Sequence, residues 1–160
     1  MKKFTLTLKK SVFFLFAAAF LLFSGFAAPL DHRGFIHDFL NKYYDKDEQL
    51  STLKQYEIKV TNTGFCRYRK VYANGKEEFF SFSLSRFKSV DFLGNTLRGE
   101  LVLHTKNDDV IVQTRNDKAG AIDSMATYMV VPLKNIDAEQ LNELHYHLKE
   151  ITNKALASGK

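Results

Sequence analysis

Cysteine is almost absent from this chain of 160 residues, which contains only Cys66. A single cysteine cannot form a disulfide within the chain, so stability has to come from an ordinary hydrophobic core. Cys66 also lies far from the N-terminal segment, which excludes the lipid-attached cysteine of a bacterial lipoprotein. In an exported protein it would be either a buried thiol or one half of an intermolecular disulfide.

Sequence motifs of several enzyme and metal-binding classes are missing as well. The chain has no Gly-x-Ser-x-Gly elbow, no Ser-x-x-Lys with its supporting motifs, and no glycine-rich phosphate loop. The acidic turns at Asn107-Asp108-Asp109 and Asn116-Asp117, with Asp123, lack the ligand spacing and terminal Glu of a calcium-binding EF-hand. Asn and Asp are also what turns use for their own backbone bonding. We therefore expect a non-enzymatic protein without metal or cofactor.

Histidine occurs five times, but its spacing does not favour a metal site. His145 and His147 are two residues apart on a predicted helix, hence about 200° apart around its axis. His32 and His37 are five residues apart, and His104 lies in a predicted strand with no carboxylate or thiolate at ligand spacing. We expect these side chains to be surface or boundary imidazoles, with His145 packed along the helix.

The longest uncharged stretch lies near the N-terminus. Four lysines within the first ten residues precede a segment rich in Phe, Leu and Ala from Val12 to Ala28, with small residues at Gly25-Phe26-Ala27. This order is typical of a secretory signal peptide, which we predict to be residues 1–27. Cleavage after Ala28 is disfavoured because it would place Pro29 directly after the scissile bond.

The same segment explains the apparent basicity of the chain. There are 23 Lys+Arg against 18 Asp+Glu, but residues 1–27 hold four lysines and no acid, which leaves 23 − 4 = 19 against 18. A nearly neutral domain gives no support for nucleic-acid binding. We expect an exported protein, periplasmic or extracellular, with residues 28–160 as a single globular domain. Because Ser11 to Leu30 is uncharged and long enough to span a bilayer, an uncleaved membrane anchor is the alternative.

Helical periodicity appears at both ends of this domain. Residues 31–47 carry apolar side chains at helical spacing, with Asp31 as a plausible N-cap. Residues 137–157 show a longer amphipathic pattern. At its start, Asp137 and Gln140 have the spacing of a reciprocal capping box. These patterns predict a short N-terminal helix and a long C-terminal helix.

Alternating apolar and polar residues dominate the segment between the helices, residues 56–132. Asn74-Gly75 is the strongest hairpin signal and predicts a type I′ turn, and Pro132 is predicted to end the last strand. Seven strands are predicted, at 56–61, 65–73, 76–86, 88–93, 99–106, 110–116 and 125–131.

Seven antiparallel strands followed by one C-terminal helix, over about residues 56–157, resemble the pleckstrin-homology-like (PH-like) superfold in element order. The resemblance implies a mainly β, α+β fold: a seven-stranded antiparallel barrel or bent sandwich with a C-terminal capping helix, here preceded by a short N-terminal helix. A helix before an antiparallel sheet also resembles the cystatin-like and NTF2-like α+β folds. Those folds would leave the final helix unexplained.

The PH-like resemblance also suggests binding residues. Many phosphoinositide-binding PH domains use a Lys late in the first strand and a basic-x-Arg in the second, which match Lys59, Arg67 and Arg69. The turn at Asn62 to Gly64 is too short to be the usual headgroup loop, so the resemblance implies at most a patch for anionic lipid or an acidic partner. The ordinary alternative is a solvated basic strand face.

Function is predicted only by class. We expect a non-enzymatic binding or interaction module whose partner is an envelope protein, a glycan or an anionic lipid, with Tyr68 and Tyr72 as an aromatic part of its surface. One alternative is a small exported enzyme that uses Cys66 or His104, with the Asn116 to Asp123 segment lining its cleft. Another is a self-assembling structural subunit of the envelope, and the oligomeric state stays open.

Overall fold

The computed structural model describes residues 30–47 and 52–158, so the predicted signal peptide lies outside the described residues. All described secondary structure belongs to the unit Asp31–Lys160. The elements are α1 (His32–Tyr43), β1 (Leu53–Val60), β2 (Phe65–Tyr72), β3 (Glu77–Ser83), a short 3-10 helix (Leu84–Arg86), β4 (Phe87–Gly94), β5 (Arg98–Thr105), β6 (Val110–Arg115), β7 (Ile122–Ala126), β8 (Tyr128–Lys134) and α2 (Ala138–Ser158).

The strands form two antiparallel sheets. One has five strands in the order β1-β2-β3-β6-β7, and the other has three in the order β4-β5-β8. The predicted α+β class, mainly β with a C-terminal helix, is therefore confirmed. The described strands do not close into a barrel, so of the two predicted forms the barrel is wrong.

The strand count is also wrong, because the described chain has eight strands rather than seven. The segment predicted as one strand at 125–131 is divided at Thr127. β7 before it pairs with β6 in the five-stranded sheet, and β8 after it pairs with β5 in the three-stranded sheet. The Thr127 carbonyl accepts hydrogen bonds from the backbone N–H and side-chain hydroxyl of Thr105, which hold the crossing in place. An alternating pattern does not reveal a change of sheet, because both strands show the same period.

Pro132 does not end the last strand, as was expected, but lies inside β8. β8 is an edge strand of its sheet, and the Pro132 carbonyl accepts a hydrogen bond from the backbone N–H of Asp45 at 3.0 Å. The position that lacks an N–H therefore faces away from β5. A proline is tolerated there because no ladder hydrogen bond is lost.

The hairpin between β2 and β3 occurs where it was predicted, but its turn is not of type I′. Gly75 has a φ of +87°, whereas Asn74 is not among the residues with positive φ in the described chain. The Gly75 N–H donates to the Tyr72 carbonyl at 3.0 Å, and the Asn74 side chain accepts from the Lys76 N–H at 3.0 Å. Asn74 thus uses its side chain to cap the turn, and Gly75 alone takes the left-handed conformation.

Both predicted helix caps are confirmed. The Asp31 carboxylate accepts from the Gly34 N–H at 3.0 Å at the start of α1. Asp137 and Gln140 bond each other's backbone N–H groups, both at 2.9 Å, at the start of α2. Among the described helices, none is long and apolar enough to cross a membrane.

The core lies between the two sheets and the two helices. Its buried members come from every layer: Ile36, Leu40, Ile58, Phe82, Leu84, Leu101, Leu103, Met129, Leu144 and Leu148. In the five-stranded sheet, Ile58, Tyr68 and Phe82 point to this inner face. The residues that alternate with them, such as Lys59 and Arg67, therefore occupy the opposite, outer face.

Candidate ligand-binding groove

The outer face of the five-stranded sheet carries side chains in rows that run across the strands. In the first row, the register places Lys59 opposite Arg67, Arg67 opposite Ser81, Ser81 opposite Ile111, and Ile111 opposite Met125. The adjacent row consists of Glu57, Arg69, Phe79, Gln113 and Asp123. Residues of these rows on β1, β2, β3 and β6, together with Phe65, Tyr68 and Phe80, line a groove of about 610 Å³, called the outer-face groove below. This volume falls in the range of small-molecule sites.

Positive charge predominates in the outer-face groove. Three cations and one acid line it: Lys59, Arg67, Arg69 and Glu57. The Arg69 guanidinium is engaged, since it donates to Glu77 at 2.8 and 3.1 Å and lies 5.4 Å from the Phe79 ring centre. Lys59 and Arg67 make no ion pair or side-chain hydrogen bond with any other described residue. Their charges are therefore available to a ligand.

The three basic residues predicted as binding candidates thus lie together on one face. Tyr68 borders the same groove, but its side chain and that of Tyr72 belong to the inner face of the sheet. Tyr68 points into the core with 1% exposure, and its hydroxyl lies 2.7 Å from that of Tyr44. Burial, together with this hydrogen bond, raises the pKa of Tyr68. Tyr72 is half-buried on the same inner side and donates to Glu78 at 2.7 Å. The expected exposed aromatic surface of Tyr68 and Tyr72 is therefore not formed.

Cys66 is fully buried on the inner face of β2. Burial raises the pKa of its thiol to about 12, so the nucleophilic thiolate is scarce at neutral pH. His104 lies on the outer face of the other sheet, and the described chain brings no histidine into hydrogen-bonding contact with the thiol. The structure thus does not bring Cys66 and His104 together.

We expect native Cys66 to resist labelling by the thiol reagent DTNB. Raising the pKa from 9.0 to about 12 lowers the thiolate fraction about a thousandfold at neutral pH, and burial further blocks the reagent. The absorbance change that reports the reaction with DTNB should be fast in guanidinium chloride, where the protein is unfolded. In buffer it should be at least about a thousandfold slower. Equal rates in the two conditions would show that the thiol is exposed.

His104 has a carboxylate neighbour that its sequence spacing did not indicate. Asp91 on β4 lies with its Oδ2 2.9 Å from His104 Nε2 on β5. The pair forms because β4 and β5 are antiparallel partners, although the residues are 13 positions apart. No carboxylate lies at ligand spacing in the sequence, but the sheet pairing brings the Asp91 carboxylate into contact with His104. The pair is largely open to solvent and does not line the outer-face groove.

The acidic turns use their carboxylates for local contacts. Asp117 accepts from the Ala119 N–H and from Lys76, and these bonds lower its pKa. Three of the acids singled out in the sequence form ion pairs: Asp109 with Arg86 at 3.0 Å, Asp117 with Lys76 at 3.0 Å, and Asp123, which lies in β7, with Arg115 at 2.8 Å. The backbone hydrogen bonds accepted by Asp109 and Asp117 support the interpretation of Asn107-Asp108-Asp109 and Asn116-Asp117 as turns.

A buried histidine pair joins the two helices. The expectation that His32 and His147 are surface or boundary imidazoles is therefore wrong, because they are only 7% and 5% exposed. The Nδ1 atoms of His32 on α1 and His147 on α2 lie 3.2 Å apart, and Phe35 stacks on His147 with ring centres 3.8 Å apart. Burial, and then the neighbouring His32, lower the pKa of His147. The two residues are 115 positions apart, so no local sequence signal could have paired them.

We expect the free energy of unfolding to fall as the pH drops below about 6.5. A histidine whose pKa is lowered by folding binds its proton more readily in the unfolded state, so its stabilising effect is complete above the unfolded value of 6.5 and is lost as pH falls through the folded pKa. Burial lowers the pKa of His145 in the same direction. Urea unfolding between pH 7.5 and 5.5 should show this decrease in the free energy of unfolding with falling pH. The decrease should be smaller in His145→Gln/His147→Gln. An identical decrease in the variant would rule out the histidines as its source.

The outer-face groove offers cationic and apolar contacts, but neither cysteine nor histidine lines it. Its polar lining consists of Glu57, Lys59, Arg67, Arg69, Ser81 and Gln113, which can form hydrogen bonds and ion pairs with a ligand. In comparisons with known proteins, no family model, no curated protein and no solved structure matches this chain.

Proposed function

We propose that this chain is an exported, non-enzymatic binding module that holds an anionic ligand in the outer-face groove. The observation that carries the proposal is the juxtaposition of Lys59 and Arg67, which face each other on adjacent strands without a described acidic partner. Directly opposite side chains start about 5 Å apart, so both cations can reach one anionic group.

The energetics of the sheet support a ligand of this charge. Like charges directly opposite each other destabilise a pair of strands. In the neighbouring row the equivalent cation, Arg69, lies opposite Glu57 and forms an ion pair with Glu77. Acidic side chains of the protein therefore neutralise the positive charge there. Lys59 and Arg67 form no ion pair with an acidic side chain of the described chain. An anion bound between Lys59 and Arg67 would neutralise their repulsion through charge-assisted hydrogen bonds.

Export and fold family complete the proposal. The N-terminal sequence supports a signal peptide at residues 1–27 and delivery to the periplasm or exterior, with an uncleaved anchor as the alternative. Two antiparallel sheets followed by a C-terminal helix are compatible with a PH-like arrangement. The partner is then an anionic lipid, an acidic glycan or an acidic surface of an envelope protein.

The proposed function can be tested with the fluorescent sulfonate 8-anilinonaphthalene-1-sulfonate, which combines one anionic group with aromatic rings. The variant Lys59→Gln/Arg67→Gln should weaken its binding about tenfold or more, because charged hydrogen bonds are lost. The matched control is Lys88→Gln/Lys118→Gln, which removes the same charge from exposed positions outside the groove. Unchanged binding in the groove variant, or an equal loss in the control, would contradict the proposal.

A further inference from the structure

The outer face of the five-stranded sheet has a charged end and an apolar end. Along its first row, Lys59 and Arg67 lie on β1 and β2, Ser81 lies on β3, and Ile111 and Met125 lie on β6 and β7. Strands are spaced about 4.8 Å apart, so this row extends about 19 Å from β1 to β7. Positive and apolar side chains are thus separated along one line across the strands.

The apolar end is open to solvent. Ile111 is 38% exposed and Met125 is 54% exposed, although side chains of this kind are usually covered. Phe79 in the neighbouring row lies between these residues and the cations, and it also lines the groove. The exposed apolar surface therefore continues directly from the anion-binding end.

The other cations of the outer face disfavour a ligand that is anionic along its whole length, because they already have acidic partners. Arg69 is neutralised by Glu77 at 2.8 Å, and Arg115 is neutralised by Asp123 at 2.8 Å. An acidic peptide or a sulfated glycan lying across the strands would meet free cations only at β1 and β2. A neutral glycan would leave Lys59 and Arg67 without a counter-charge.

Resting on the proposed function, we infer that the ligand is a single-chain amphiphile with an anionic headgroup. Its headgroup lies between Lys59 and Arg67, and its chain runs across β3 towards Ile111 and Met125. The charged end fixes the orientation through hydrogen bonds, and the apolar end contributes affinity in proportion to the chain surface that it covers.

A series of fatty acids tests this inference. The purified protein is titrated calorimetrically with octanoate, decanoate and dodecanoate, each below its aggregation concentration. Affinity should rise about two- to fourfold per added methylene, because complete burial of a methylene corresponds to about fourfold. The increase in affinity with chain length should be smaller in Ile111→Ser/Met125→Ser. It should persist in the control Leu93→Ser/Leu97→Ser, which removes exposed apolar side chains elsewhere.

The outcomes separate this inference from the proposed function. If Lys59→Gln/Arg67→Gln weakens sulfonate binding but fatty-acid affinity does not depend on chain length, anion binding stands and the amphiphile is wrong. The same conclusion follows if Ile111→Ser/Met125→Ser leaves the chain-length dependence intact. Binding to phosphatidylglycerol vesicles without binding of monomeric dodecanoate would also overturn the inference, because the partner would then be a bilayer surface.

Discussion

Replacing Phe82 with Ala should lower the free energy of unfolding by about 3–5 kcal/mol. Phe82 is fully buried on the inner face of β3, so its removal leaves a cavity between the sheet and the helices. Phe79 lies three positions earlier on the same strand but points to the outer face, where it is half-buried. We expect Phe79→Ala to be clearly less destabilising, because solvent can fill the space it leaves.

Urea unfolding followed by circular dichroism measures both variants under the same conditions. The difference between them is the useful quantity, since both substitutions remove the same atoms from the same strand. Equal losses of stability would contradict the assignment of inner and outer faces. In that case the register that assembles Lys59, Arg67 and Ile111 on one surface would be wrong as well.

Tyr44→Phe should also destabilise the protein, by about 1–3 kcal/mol. The Tyr44 hydroxyl lies 2.7 Å from that of Tyr68, and both residues are buried. Removing one hydroxyl leaves the other in an apolar environment without this partner, which costs more than the hydrogen bond itself. The double variant Tyr44→Phe/Tyr68→Phe should therefore be more stable than Tyr44→Phe alone.

Tyr56→Phe is the matched control, because the Tyr56 ring stacks on Tyr44 while its hydroxyl has no hydrogen-bond partner in the described chain. Thermal unfolding of the wild-type protein, the single variants Tyr44→Phe and Tyr68→Phe, the double variant and the Tyr56→Phe control gives the comparison. If the double variant lost as much free energy of unfolding as the two single variants together, the two hydroxyls would be independent of each other, and this prediction would be wrong.

Local features of the fold were predictable from the sequence. Asp31 and Asp137 cap their helices as expected, because capping depends on residues within one turn. The alternation of Lys59, Arg67 and Arg69 with buried residues likewise places these cations on one face. The same alternation separates Tyr68 from them, so its inner position was available from the sequence.

Long-range features were not predictable in the same way. The apolar half of the outer-face groove depends on the pairing of β3 with β6, and no local pattern specifies which strands become neighbours. The same limit applies to His104 with Asp91 and to the crossing at Thr127. In each case the residues meet because of sheet order rather than sequence spacing.

Nuclear magnetic resonance can locate the binding site on the protein itself. During titration with dodecanoate, the largest shifts should occur at the side-chain Nε–H of Arg67 and the methyl groups of Ile111, which mark the two ends of the bound chain. Signals from His104 and Tyr128, on the outer face of the three-stranded sheet, should stay unchanged. Shifts concentrated at His104 and Tyr128, with Arg67 and Ile111 unaffected, would contradict the outer-face groove as the binding site.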